Sequence, residues 1–259
     1  MKTHIRTIKV IFVTSLVLLF GIGVNVHALT IEEIPFEFEY YDDTTLDWAD
    51  SADDGFTGST ALGFSVTIGG AAYSYFDMSS DGYIELLTDA GDVPTGRGWD
   101  SIDGLISFDP CATYLLAAYD DLSSEFYGYY GYKLFSDPNR AVFYYYTETY
   151  QDTGESTDEL NKFEVILYED GNVQWNFNYA EYEWFDEDLF SGLYFGNTQT
   201  LLELTRYHIP EQKSYLYYGC DDWLTADFNN DCFTDLADFG IFALQWLKCA
   251  ELNDPSCQP

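Results

Sequence analysis

Apolar and polar residues alternate with a period of two along most of this chain. Leu62, Phe64, Val66 and Ile68 are spaced by Gly63, Ser65 and Thr67, and after Gly69-Gly70 a second run extends from Ala71 to Phe76. That pattern predicts a β-hairpin closed by a glycine turn. Asp81-Gly82 marks a further turn before the run from Tyr83 to Leu87. Arg140 to Thr147 contains Val142-Phe-Tyr-Tyr-Tyr146, β-branched and aromatic residues that suit a pleated surface. Phe163, Val165 and Leu167 alternate with Glu164, Ile166 and Tyr168; after Glu169-Asp-Gly-Asn172 come Val173, Trp175, Phe177 and Tyr179. This second hairpin has the most regular alternation in the chain. Ser214 to Tyr218 reads as a last strand. With almost no helical periodicity between residues 29 and 218, the expectation there is a mainly β fold, an antiparallel β-sandwich.

The period changes near the C-terminus. Leu236, Phe239, Phe242, Ala243, Trp246 and Leu247 recur at steps of three and four, which predicts an amphipathic helix. The residues leading into it, D-F-N-N-D-C-F-T-D-L-A-D, place Asp227, Asn229, Asp231, Asp235 and Asp238 at positions one, three, five, nine and twelve of a twelve-residue window. A short loop supplies Ca²⁺ with six to eight oxygens by curling around it at this spacing, and the backbone carbonyl of Phe233 at position seven is a further ligand. An acidic turn with Asp235 as helix cap is the competing reading, but a cap uses one or two carboxylates, fewer than the oxygens in register here. Cys232 stands at position six, where glycine is usual for the sharp turn.

Composition adds a compartment and a sign. Lys2, Arg6 and Lys9 precede an apolar stretch from Val10 to Val24, and Val26-His27-Ala28 offers small residues for cleavage after Ala28. Residues 1–28 are therefore expected to be a signal peptide, with the protein secreted, extracellular or at the cell surface and no later span able to cross a membrane. The whole chain has 10 Lys+Arg against 45 Asp+Glu, and loss of the leader leaves 7 against 45, a net −38. Such a surface repels phosphate backbones, so nucleic acid is not an expected partner. Five cysteines agree with an oxidising compartment. Cys220, Cys232, Cys249 and Cys257 crowd the tail, where four cysteines allow three pairings. Cys111 is left over and is expected to be a buried free thiol, with an inter-chain link as the alternative.

Two resemblances follow from these residues. The segment A-D-F-N-N-D-C-F-T-D-L-A-D-F-G-I-F-A-L-Q-W-L-K, residues 226–248, resembles one type I dockerin repeat. The resemblance implies a calcium-dependent module at residues 219–259 that attaches secreted proteins, often polysaccharide-degrading ones, to a cohesin-like partner. It differs from the family in having one repeat, and in Leu236-Ala237 where the recognition pair is often Ser-Thr. In the body, L-G-F-S-V-T-I-G-G-A-A-Y-S-Y-F-D-M-S-S-D-G-Y-I-E-L resembles the opening of a nidogen-like β domain. Ala118-Tyr-Asp-Asp-Leu122 is similar to that family's W-D-D-L segment, and Phe163-Glu-Val-Ile-Leu-Tyr-Glu-Asp-Gly171 to its F-Q-V-x-L-Y-x-D-G hairpin. That similarity runs from about Leu62 to Leu204, within a body of residues 29–218. It implies an extracellular adhesion or matrix module with no known catalytic centre.

Catalytic chemistry finds little to stand on. Beyond the leader the chain has one histidine, His208, and no nucleophile elbow, which argues against acyl transfer and a zinc site. A glycosidase needs two carboxylates roughly 5–9.5 Å apart. Asp120-Asp121, adjacent at a strand end, point to opposite faces and read as solvated acids. Glycan binding by exposed aromatic rings is the stronger competitor, with Trp99, Trp175 and Trp184 in the sandwich. Alternation places Trp175 in the core, whereas Trp184 lies in acidic surroundings as a candidate rim residue. The expectation is a secreted, non-catalytic binding, adhesion or structural protein that binds Ca²⁺ through its tail. Its alternative is a glycan-binding accessory component of polysaccharide degradation.

Overall fold

The structure, a computed structural model, describes residues 31–94, 101–149, 160–179, 189–206, 210–219, 239–240 and 242–243. Two antiparallel sheets face each other. The first has the order β1-β14-β11-β10-β9-β8-β2, from β1 (Ile31–Ile34), β14 (Lys213–Tyr217), β11 (Val173–Tyr179), β10 (Asn161–Tyr168), β9 (Asn139–Thr149), β8 (Tyr129–Ser136) and β2 (Trp48–Asp50). The short β7 (Leu122–Ser123) pairs with the far end of β9. The second sheet has the order β13-β12-β6-β5-β4-β3, from β13 (Thr200–Arg206), β12 (Phe190–Phe195), β6 (Thr113–Tyr119), β5 (Tyr83–Leu87), β4 (Ala71–Met78) and β3 (Thr60–Ile68).

The period-two pattern works as expected. Along β3, Leu62, Phe64, Val66 and Ile68 are buried while Ala61, Gly63, Ser65 and Thr67 are exposed. The β3–β4 turn is made by Gly69 and Gly70, both at positive φ (57° and 80°), backbone angles that only glycine adopts freely. The β10–β11 hairpin pairs Val165 with Trp175 and Phe163 with Phe177, so the alternate residues of both strands point inward together. Ser214 to Tyr217 lies in the predicted last strand, β14.

Between the sheets lies a core rich in aromatic side chains. Phe76 of β4 meets Phe143 of β9 edge to face at 4.9 Å, and Tyr145 stacks on Phe163 at 4.9 Å. Trp175 is fully buried, as its alternation requires, and its indole Nε1 donates to the Leu116 carbonyl of β6 at 3.0 Å. That bond satisfies the one polar atom of the side chain and joins the two sheets.

Both outer faces are covered in part. On the second sheet, Tyr83, Tyr114, Leu116, Tyr119, Phe190 and Tyr194 form a second cluster, closed by Ile102 and Leu105 of helix α1 (Ile102–Phe108). The expectation of almost no helix missed α1. Ser101 caps it by accepting from the Gly104 amide, and the helix is stabilised by what it covers. On the first sheet, residues 35–45 form an extended strap that pairs with no strand. The Ser214 hydroxyl accepts from the Glu37 amide at 2.9 Å and donates to the Glu37 carbonyl at 3.0 Å. Tyr41 packs edge to face on Tyr144 at 5.7 Å, and Phe38 lies on the same ring at 5.9 Å.

Cys111 is a free thiol, as read from sequence, but it is exposed rather than buried. It sits in the turn between α1 and β6, where its amide donates to Asp109 Oδ1. Of the predicted C-terminal helix, Phe239, Gly240, Phe242 and Ala243 are described, and all four are helical. No helix among the described residues is long and apolar enough to cross a membrane.

Candidate functional site

Three acidic turns meet beside one end of β7: residues 52–55 between β2 and β3, residues 79–82 between β4 and β5, and residues 120–125 around β7 itself. Backbone and hydroxyl groups stitch them together. The Ser80 amide donates to the Gly55 carbonyl at 2.9 Å, and the Gly55 amide returns a bond to the Ser80 hydroxyl at 2.9 Å. The Ala52 amide donates to Ser124 Oγ, the Ser124 amide to the Ala52 carbonyl, and Asp53 forms a β-bridge with Ser123. The Asp120 amide reaches the Asp81 carbonyl at 3.3 Å. Gly82 is at φ 79°, and a Cβ there would run into the Ala118 carbonyl oxygen, so the close approach of the second turn to the end of β6 requires glycine.

Carboxylates concentrate where the turns join. Asp81 has no exposed surface; its Oδ2 accepts from the Ser79 hydroxyl at 3.1 Å, while its Oδ1 has no hydrogen-bond partner. Burial is the main cause that pushes its carboxyl up to about 8, and the charges of Asp54, Asp121 and Asp53 push the same way. Asp53 is half-buried, with an unpartnered Oδ1 closed off from solvent, and its carboxyl is raised by burial and by Asp54 and Glu125. Asp120 is buried at 2% exposure, which corrects its reading as a solvated acid; its side chain turns back to accept from the Asp121 amide at 2.8 Å. Asp77, also buried, accepts from Thr57 Oγ1 at 3.1 Å and lies opposite Glu85 in the β4–β5 register.

A second buried carboxylate lies away from this junction. Glu164 is on the outward face of β10, yet the strap seals it from solvent. Its Oε1 accepts from Asn176 Nδ2 at 2.7 Å and from the Glu39 amide at 3.1 Å, and its Oε2 has no partner. Burial pushes its carboxyl up to about 8, opposed by those two bonds and by the Arg140 guanidinium, which pairs instead with Glu39 at 3.0 Å.

The calcium ligands read from sequence, Asp227, Asn229, Asp231, Phe233, Asp235 and Asp238, lie outside the described residues, as do Cys220, Cys232, Cys249, Cys257, Trp99, Trp184 and His208. Among the described residues no three Asp, Glu, His or Cys side chains converge closely enough to form a ready-made metal group. Sequence reasoning singled out Asp120-Asp121 but missed their junction with Asp53, Asp54 and Asp81. Asp81-Gly82 was read as a turn; the meeting of the three turns depends on bonds between residues 25 and 72 positions apart.

No curated protein and no solved structure matches the chain. A family model described as NIDO related matches residues 30–188, more than half of the chain. The match begins just ahead of β1, before the resemblance read from the motifs, and takes in all three acidic turns. On that match, the chain belongs to the NIDO-related family.

Proposed function

We propose that this is a secreted, non-catalytic binding or adhesion protein, with its sandwich as a rigid body and its tail as a calcium-binding attachment module. The observation that supports it is how the described acids are used. Asp81 bonds Ser79, Asp77 bonds Thr57, and Glu164 bonds Asn176 and the strap amide. Asp77 and Glu164 tie separate segments together and Asp81 braces its own turn, the pattern of a scaffold rather than of an acid–base pair flanking a substrate. NIDO-related membership and the aromatic-filled space between the sheets point the same way. Under this reading residues 1–28 direct export. Asp227, Asn229, Asp231, Phe233, Asp235 and Asp238 hold Ca²⁺ and order the tail for a cohesin-like protein partner. A tail of about 40 residues is small enough that a bound metal decides whether it folds.

The test is calcium titration by calorimetry of the oxidised mature chain. Asp227→Ala is expected to remove one equivalent of bound Ca²⁺ and to abolish chelator-sensitive binding of the partner. Equal uptake and equal melting in the two chains would remove the basis for this module.

Glycan recognition is the second reading, favoured by exposed rings beside the acidic turns. Phe126 is 62% exposed and Tyr127 is 38% exposed, directly after Ser124 and Glu125. Retention on insoluble polysaccharide that falls at least several-fold with Phe126→Ala would favour it over protein attachment. No retention on a broad glycan panel would dismiss it.

A further inference from the structure

Arg140 of β9 acts on two carboxylates, one on the strap and one on the sheet beneath it. Its Nη2 donates to both oxygens of Glu39, at 3.0 and 3.3 Å, and the Glu39 amide donates to Glu164 Oε1 at 3.1 Å. The guanidinium charge also bears on Glu164. Two groups here have bonding capacity to spare: Arg140 Nε and Glu164 Oε2 are each closed off from solvent without a hydrogen-bond partner. An unused buried donor and an unused buried acceptor are both costly, and these two are of matching kind.

The other charged or titratable groups packed here take over neither role. Burial holds the hydroxyls of Tyr41, Tyr129, Tyr144 and Tyr168 above their ordinary range, so they stay neutral through mildly alkaline pH. Glu37 and Tyr40 of the strap also face the cluster and bring no positive charge. Lys133 of β8 is engaged with the Thr45 carbonyl, Lys162 of β10 lies over the Tyr146 ring at 4.8 Å, and Lys213 of β14 pairs with Glu33. From β11 come Gln174 and Asn176, which are uncharged.

With Glu164 protonated, one guanidinium faces one carboxylate and the strap is held. With Glu164 ionised, two carboxylates compete for it, and they are not equivalent. The Glu39 side chain is 42% exposed and can turn to water, whereas Glu164 is fully buried and cannot. We propose that the strap is a latch worked by a proton: its loss from Glu164 draws Arg140 off Glu39 and frees residues 36–41 to lift from the first sheet. The new pair uses the idle Nε and Oε2, so the buried carboxylate gains its charge partner and the strap loses one anchor. Lifting breaks no sheet ladder, because the strap pairs with no strand among the described residues. It uncovers Tyr144, Glu164 and Asn176 on the outward face of β9 to β11. Burial keeps the Glu164 proton on to about 8, so the latch opens in mildly alkaline water.

The oxidised mature chain is followed by amide hydrogen exchange at about pH 6 and about pH 9, each rate corrected for intrinsic exchange at that pH. Protection at residues 36–41 is expected to fall by about tenfold at the higher pH, while β10 and β11 stay protected. Glu164→Gln accepts the same two bonds and cannot ionise, so its strap is expected to stay protected at both pH values. Glu39→Gln removes the competing charge and is expected to lose most of the pH dependence. Should Glu164→Gln fail to fold, Glu39→Gln, at a half-exposed side chain, carries the test. Three results overturn the proposal: strap protection in the parent that does not change with pH, a loss shared equally by β10 and β11, or an undiminished pH response in either variant.

Discussion

Glu164 shows how one residue's setting is decided by a segment far away in sequence. Alternation put it on the outward face of β10, where a glutamate would ordinarily meet water; the Glu39 amide of the strap lies on it instead. Its carboxyl titrates near 8 when folded against an ordinary 4.5, so the folded state holds a proton that the unfolded chain releases earlier. Stability is therefore lost as pH rises from about 4.5 to about 8, with a slope of up to about 1.4 kcal/mol per pH unit from this group. Glutamine mimics the protonated form, since its carbonyl oxygen accepts the same two bonds. Glu164→Gln should match the parent near pH 5 and unfold at higher urea concentration than the parent at pH 8. Parallel curves for the two proteins across that range would show that the residue stays ionised.

At the scale of elements, the strap has the weakest claim to regular structure and a large part in sealing the first sheet. Ser214 is buried and makes two bonds to Glu37. Ser214→Ala should cost about 0.5–1.5 kcal/mol in urea unfolding, because it removes both hydrogen bonds that hold Glu37 of the strap to β14. Amide exchange should speed up first at residues 36–41, and unchanged exchange there would mean that the strap is held by its aromatic rings alone. The hairpins β3–β4 and β10–β11 could be read from sequence because one face of each is buried and the other is not. The strap could not, since Phe36-Glu37-Phe38-Glu39-Tyr40 alternates as a strand does but its backbone finds no strand partner. Helix α1 was hidden for a different reason. Seven residues containing Gly104 carry little helix propensity, and the helix is made by the Tyr83–Tyr114 surface it covers. The acidic junction was the least legible feature, because each of its three turns is ordinary by itself.

For the whole molecule, charge is the dominant feature. A formal net charge of −35 opposes compaction, and the described residues contain few ion pairs to offset it. Raising NaCl from about 10 mM to about 1 M shortens the screening length from about 30 Å to about 3 Å. The melting temperature at pH 7 should then rise by a few degrees in calcium-free buffer; a fall would mean that specific pairs outweigh the general repulsion. The pairing of β1 with β14 has a consequence of its own. Ile31 lies opposite Tyr217, so the first strand of the described body finds its neighbour only at the last. On the ribosome, the nascent chain must keep its opening residues unsheltered until nearly the whole sandwich has been translated. Closure is thus a late event, and a product stopped short of residue 217 would carry a raw sheet edge open to aggregation.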